Sequence, residues 1–178
     1  MRVVARLLQL CRPLTPGFSI VVCNPPWHDL VIRDTHQKGP HGLVTVSVAH
    51  STERDGKILR VPEMLFEVEG SRKTFILTPF CLRNEPAGVE QYSVTRDNGP
   101  ISVNFRLQQE HMAFARHWNA CLEEQGYLPA FQRTAFVAEL WETFENSLAA
   151  QPQRGTEDLK LLFDAAVTTT LAKGVPAL

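Results

Sequence analysis

Asn24, Pro25, Pro26 and Trp27 are the residues of this chain whose types and order come nearest to spelling a reaction. They close the apolar run Ile20-Val21-Val22-Cys23. An asparagine side chain and a carbonyl of a proline-stiffened loop can both accept hydrogen bonds from an amino group. An aromatic ring beside them can stack on the ring that bears it. Held so, the amine gains nucleophilicity and a fixed line of approach to an electrophilic carbon. The plainer role for the same four residues is a strand ending in a proline-rigid turn, with the indole packed under it.

The order apolar strand, Asn, Pro, Pro, aromatic is similar to the signature of S-adenosylmethionine-dependent amino-group methyltransferases. That likeness implies a glycine-rich turn after a strand to hold the cofactor, commonly upstream of the asparagine. Only 23 residues precede Asn24, and no G-x-G occurs anywhere in the chain. No cofactor is therefore expected, and methyl transfer through Asn-Pro-Pro-Trp stands as the alternative reading.

The remaining chemistry-bearing residues offer less. His111 and His117 lie six apart on one helical segment, about 120° around its axis, and cannot share a metal without distortion. His111 falls in an apolar stripe, where a hydrogen-bonded core residue is expected. His50 closes an alternating strand on the same face as Val44, Val46 and Val48, with Glu53 or a loop carbonyl as its expected partner. Cys11, Cys23, Cys81 and Cys121 show no C-x-x-C and read as buried thiols of a reducing compartment. Zinc-protease, phosphate-loop, nucleophile-elbow and RNA-recognition motifs are all missing. The expectation is no catalytic residue and no metal ligand.

The elements that must position these side chains come in two kinds. Val3, Val4, Leu7 and Leu8 make a first helix ended by Pro13. Short strands follow at Phe18 to Cys23, Leu30 to Arg33, Leu43 to Ala49, around Met64, Phe66 and Val68, and at Thr74 to Thr78. Gln91 to Thr95 and Ile101 to Val103 are weaker candidates. Gly39-Pro40-His41-Gly42, Asp55-Gly56, Glu69-Gly70 and Asp97-Asn98-Gly99-Pro100 supply the turns. Strands joined by links this short favour an antiparallel meander over a parallel sheet.

Near Phe105 the apolar period changes from two to 3.6. Residues 105–126 are predicted as the longest helix, stopped by Gly126 and Pro129. Two further helices are expected, one carrying Phe136, Trp141, Phe144 and Leu148, the other capped by Thr156. The fold class is thus α+β: a meander of five to seven strands packed by helices, with a C-terminal helical segment. The chain of 178 residues reads as one domain, with residues 1–128 as its α+β core and 129–178 as a helical extension.

Charge narrows the partners. The chain holds 18 basic and 19 acidic residues, a formal charge of -1. Residues 1–104 carry 12 basic and 10 acidic, the rest six and nine. Neither part has the cationic excess that phosphate neutralisation needs, which argues against nucleic acid as a direct ligand. No stretch approaches the roughly 20 apolar residues of a membrane span, and a cytoplasmic location is expected.

A second likeness covers residues 20–128. Val46-Ser47-Val48-Ala49-His50, Asp55-Gly56 and Pro62-Glu63-Met64-Leu65-Phe66-Glu67-Val68 fall in an unusual spacing. Asn24-Pro25-Pro26 stands upstream, and Phe114 to Trp118 with Glu124-Gln125-Gly126-Tyr127 stand downstream. Together they resemble an uncharacterised family of small bacterial proteins found on plasmids, integrative elements and phages. The resemblance implies an accessory protein of a mobile element, and it carries no activity and no functional residue. The expected partner is a protein, either a host factor or a second copy. A host nucleic-acid-handling or defence complex is the natural target. Trp27, presented after two prolines, and Phe131 and Trp141, in a segment with five aromatics over 33 residues, are the expected anchors.

Overall fold

A computed structural model describes residues 1–11, 16–54, 56–71, 74–96, 99–135 and 138. The chain divides into two compact units, Met1–Leu128 and Pro129–Leu178.

Within the first unit the order is helix α1 (Arg2–Leu10), then strands β1 (Ser19–Val22), β2 (Asp29–Lys38), β3 (Val44–Arg54), β4 (Lys57–Ser71) and β5 (Thr74–Asn84). A 3-10 turn over Glu85–Ala87 leads to β6 (Val89–Tyr92), a small hairpin of β7 (Val94–Thr95) and β8 (Ser102–Val103), and helix α2 (Phe105–Glu124). Strands β1 to β6 form one antiparallel sheet in sequence order. The expected α+β meander is what the chain folds into. Helix α2 is the longest helix among the described residues, as the change of period predicts.

The register sorts the sheet into two faces. Leu30, Ile32, Val46, Val48, Met64 and Phe66 share one face and are buried. This face is covered by helices. Val3, Val4, Leu7 and Leu8 form the buried stripe of α1, and His111, Ala115, Trp118 and Leu122 that of α2. The two helices meet each other and β5, and the Asn119 side chain of α2 accepts from the Val3 backbone N–H at 3.0 Å. Burying a side chain such as Phe66 or Met64 stabilises the fold by about 1.5–3 kcal/mol. Asn104 caps α2 by accepting from Leu107 N–H at 3.1 Å, and Gly126 takes the left-handed conformation just past its end.

The opposite face carries polar groups that are also buried: Thr45, Ser47, Glu63 and Glu67. Glu67 is held by the turn between β2 and β3. It accepts from the His41 backbone N–H at 2.7 Å and lies 2.5 Å from His41 Nδ1. Gly39 of that turn faces the same carboxylate, and a Cβ there would collide with it.

Several strands run further than their sequence pattern indicates. Glu69-Gly70, read as a turn, lies inside β4, where Gly70 pairs with Phe75 and its bare Cα lets the Thr74 carbonyl approach. Strand β5 does not stop at Pro79 but continues to Asn84 through an irregularity opposite Leu65 and Phe66. Proline needs no ladder hydrogen bond at such a site. Strand β2 likewise passes Arg33 and reaches Lys38. The thiols also depart from expectation: only Cys81 is buried, Cys11 and Cys121 are half-buried, and Cys23 is exposed. Apart from Ala138, the helices expected over 136–148 and from Thr156 lie outside the described residues. No helix among the described residues is long and apolar enough to cross a membrane.

Candidate functional site

The Asn-Pro-Pro-Trp loop joins β1 to β2, and residues just beyond α2 hold it in place. Asn24 is buried, and its Nδ2 donates to the Gln125 carbonyl at 2.8 Å. The Tyr127 hydroxyl donates to the His28 carbonyl at 2.5 Å. Trp27 N–H donates to the Asn24 carbonyl at 2.9 Å and closes the turn. Asn24 therefore fastens a loop to a helix end. Trp27 is not packed under the turn, the plainer role for such a motif, but stands 49% exposed. It flanks β1, the terminal strand of the sheet, whose Val21 is also exposed.

His50 lies under that loop among aromatic rings. It stacks on Tyr127 at a centroid distance of 5.7 Å and meets Trp118 edge-on at 5.3 Å. Trp118 Nε1 donates toward His50 Nε2 at 3.4 Å, so the imidazole proton belongs on Nδ1. Burial, with His28 nearby, lowers the His50 pKa. Burial also pushes the Tyr127 hydroxyl up to about 12. The three rings form one packed cluster, in which burial opposes a charge on the imidazole. The partner is the Trp118 indole in place of Glu53 or a loop carbonyl, because α2 crosses the strand end there.

The other residues with chemical or anchoring potential are scattered. His111 is buried against the Ser93 hydroxyl at 3.0 Å, and burial lowers its pKa. Phe131 is half-buried in the helical stretch over 127–135. Trp141 lies outside the described residues. Three or more His, Cys, Asp or Glu side chains do not converge anywhere among the described residues in a way that would hold a metal ion. Phe105, at the start of α2, is the most exposed of the large apolar side chains among the described residues, and nothing in its helical spacing announced that.

A second site was missed by sequence reasoning altogether. On the sheet face away from the helices, the register sets Arg33 beside Ser47, Ala49 beside Glu63, Glu63 beside Arg83, and Arg83 beside Glu90. Of these, Arg33, Glu63, Arg83 and Glu90 line an open groove of about 680 Å³, together with Arg60, Ile58 and Val89. Glu63 sits at its centre. It accepts from the Ser47 hydroxyl at 2.5 Å and lies 3.6 Å from Arg60 and 3.7 Å from Arg83. Arg83 also donates to Glu90 at 2.8 Å and to the Tyr92 hydroxyl at 3.0 Å. Burial works against the Arg83 charge, but the Tyr92 and Glu90 hydrogen bonds outweigh it and raise the pKa. Glu90 is correspondingly lowered by Tyr92 and Arg83.

Arg33 is the exception in this network. Its Nε is buried and has no hydrogen-bond partner among the described residues. Leaving a buried donor of this kind unmet costs about 1–3 kcal/mol, more when it is charged. The sequence signal for this site was one charged residue each on this face of β2, β4 and β5, Arg33, Glu63 and Arg83, which only strand register assembles into one patch.

A family model described as a domain of unknown function, DUF6908, matches residues 2–128. No curated protein and no solved structure matches the chain.

Proposed function

The chain belongs to the DUF6908 family, and from the surface it presents we propose that it acts by binding a protein partner, without catalysing a reaction. The observation that carries this is Trp27. A large amphipathic ring stands half out of the protein on a loop pinned at Asn24 and His28. Holding an indole in water on a fixed loop gains nothing for the fold, whereas a rigid tryptophan gives an interface contact area at little entropic cost. The exposed edge of β1 beside it suits a partner that lays backbone or apolar side chains alongside.

The likeness of residues 20–128 to small proteins of plasmids, integrative elements and phages supports a finer reading. In it, the chain is a cytoplasmic accessory protein of a bacterial mobile element that binds and inhibits a host nucleic-acid-handling or defence complex. The near-neutral charge favours a protein over nucleic acid as the direct ligand.

The test is capture from host lysate with the tagged chain and its Trp27→Ala variant, followed by affinity measurement on the captured protein. Trp27→Ala should weaken binding at least tenfold and leave the thermal midpoint unchanged. Equal capture by the two forms would sink the reading. Light scattering on the purified chain separates a host partner from a second copy.

A further inference from the structure

We propose that the groove on the open face of the sheet is a binding site for a carboxylate borne on an apolar body, with Arg33 as its principal contact. The charges in the groove sum to zero, and it is their pairing that decides the ligand's sign. Three guanidinium groups, Arg33, Arg60 and Arg83, share the groove with the carboxylates of Glu63, Glu85 and Glu90. Glu63 serves both Arg60 and Arg83, and Glu90 serves Arg83 again. Arg33 alone of the three has no ion pair or hydrogen bond among the described residues, and its Nε is buried.

One unanswered guanidinium calls for one negative charge. A carboxylate meets the planar fork of arginine with two parallel hydrogen bonds and carries that single charge. Phosphate is a poorer fit. A dianion set among Glu63, Glu85 and Glu90 meets like charge on several sides, and the Arg60 and Arg83 forks that would offset it are already engaged.

The apolar part of the ligand follows from the rim. Ile58 is 68% exposed, and Val89 is exposed beside it, both lining the groove. Arg33 on β2 and Glu90 on β6 are four strand spacings apart, about 19 Å at roughly 4.8 Å each. That span exceeds any single small acid and accommodates a short extended peptide segment. The carboxylate thus has two possible sources, a free organic acid near Arg33 or an acidic side chain of a peptide crossing the sheet. Trp27, on the loop between β1 and β2, does not line this groove.

Titration of the isotope-labelled full chain, followed through the Arg33 Nε–H signal by NMR, tests it. The probes are hexanoate, an acetylated and amidated pentapeptide with a central glutamate between leucines, the same peptide with glutamine, and inorganic phosphate. A saturable shift is expected with hexanoate or the glutamate peptide, and the tighter of the two names the source. Binding should be at least tenfold weaker for the glutamine peptide and for phosphate. With Arg33→Gln, followed by fluorescence of a labelled probe, affinity should drop at least tenfold, and with Arg33→Lys severalfold. Trp27→Ala should bind as the unaltered chain does. The proposal is overturned if neither carboxylate saturates, if phosphate binds as tightly, or if Arg33→Gln keeps full affinity. The unaltered chain alone decides the first two outcomes, whatever the fate of the variants.

Discussion

The two faces of the six-stranded sheet treat their polar side chains in opposite ways. Under the helices, His50, Trp118 and Tyr127 form a packed cluster in which ring meets ring and the indole N–H has an acceptor. On the open face, Arg60 and Arg83 pair with Glu63 at the edge of solvent, and the Arg33 Nε lacks a partner among the described residues. Histidine and tyrosine carry the more familiar catalytic reputation, yet here they are consumed by packing. The less conspicuous Arg33 is the one left with unspent capacity. Residue type alone is therefore a poor guide, and what matters is whether the fold has already satisfied the group.

The strongest way to break this contrast is to empty the packed face. Phe66→Ala removes a fully buried ring and should cost about 3–5 kcal/mol, read as a lowered urea midpoint. Arg33→Gln on the open face should leave that midpoint within about 0.5 kcal/mol of the unaltered chain, or raise it, because it removes an unmet buried donor. Equal losses from the two substitutions would mean that the faces are not different in kind.

A smaller effect should follow from pH. Burial lowers the pKa of His50, with His28 adding to it, and burial lowers that of His111 against Glu110. Each imidazole is harder to protonate folded than unfolded. Between its lowered value and the ordinary 6.5, the unfolded chain therefore binds more protons. Stability from this source is whole above pH 6.5 and declines as pH falls through that window. Urea midpoints measured from pH 7.5 down to pH 5.5 should drop, and the slope should flatten when both residues are glutamine. An unchanged slope in that double variant would place the titration elsewhere.

The smallest expected change is at the rim. Ile58→Ser should alter stability by less than about 0.5 kcal/mol, as exposed substitutions do, while weakening hexanoate binding severalfold. Calorimetry showing undiminished affinity would remove the apolar wall from the carboxylate site and leave only its charge.

The meander was legible because β3 and β4 alternate by residue type and because glycine turns punctuate the links. The limits of the strands were not. Pro79 reads as a stop, but the irregular pairing opposite Leu65 and Phe66 carries β5 past it. Gly70 reads as a turn, but a close carbonyl requires it within β4. The loop at Asn24 was visible as a motif, and its fastening to Gln125 was not, since the partner lies 101 residues away. The groove was hidden for a similar reason. Arg33, Glu63, Arg83 and Glu90 sit on four strands, and none of them is adjacent to another in sequence. Sequence shows which face each belongs to, and only register shows which row.

The grip of the β2–β3 turn on Glu67 has a consequence for inheritance. The carboxylate occupies the space that a side chain at position 39 would need, and it holds both the backbone and the ring of His41. Gly39, His41 and Glu67 are therefore one character distributed over three positions. A relative that loses the acid at 67 is freed to carry a side chain at 39 and to drop the histidine at 41. One that keeps the acid is bound to glycine at 39. Drift at any one of the three should be seen only alongside change at the others, so the trio offers a marker for dividing the family into lineages.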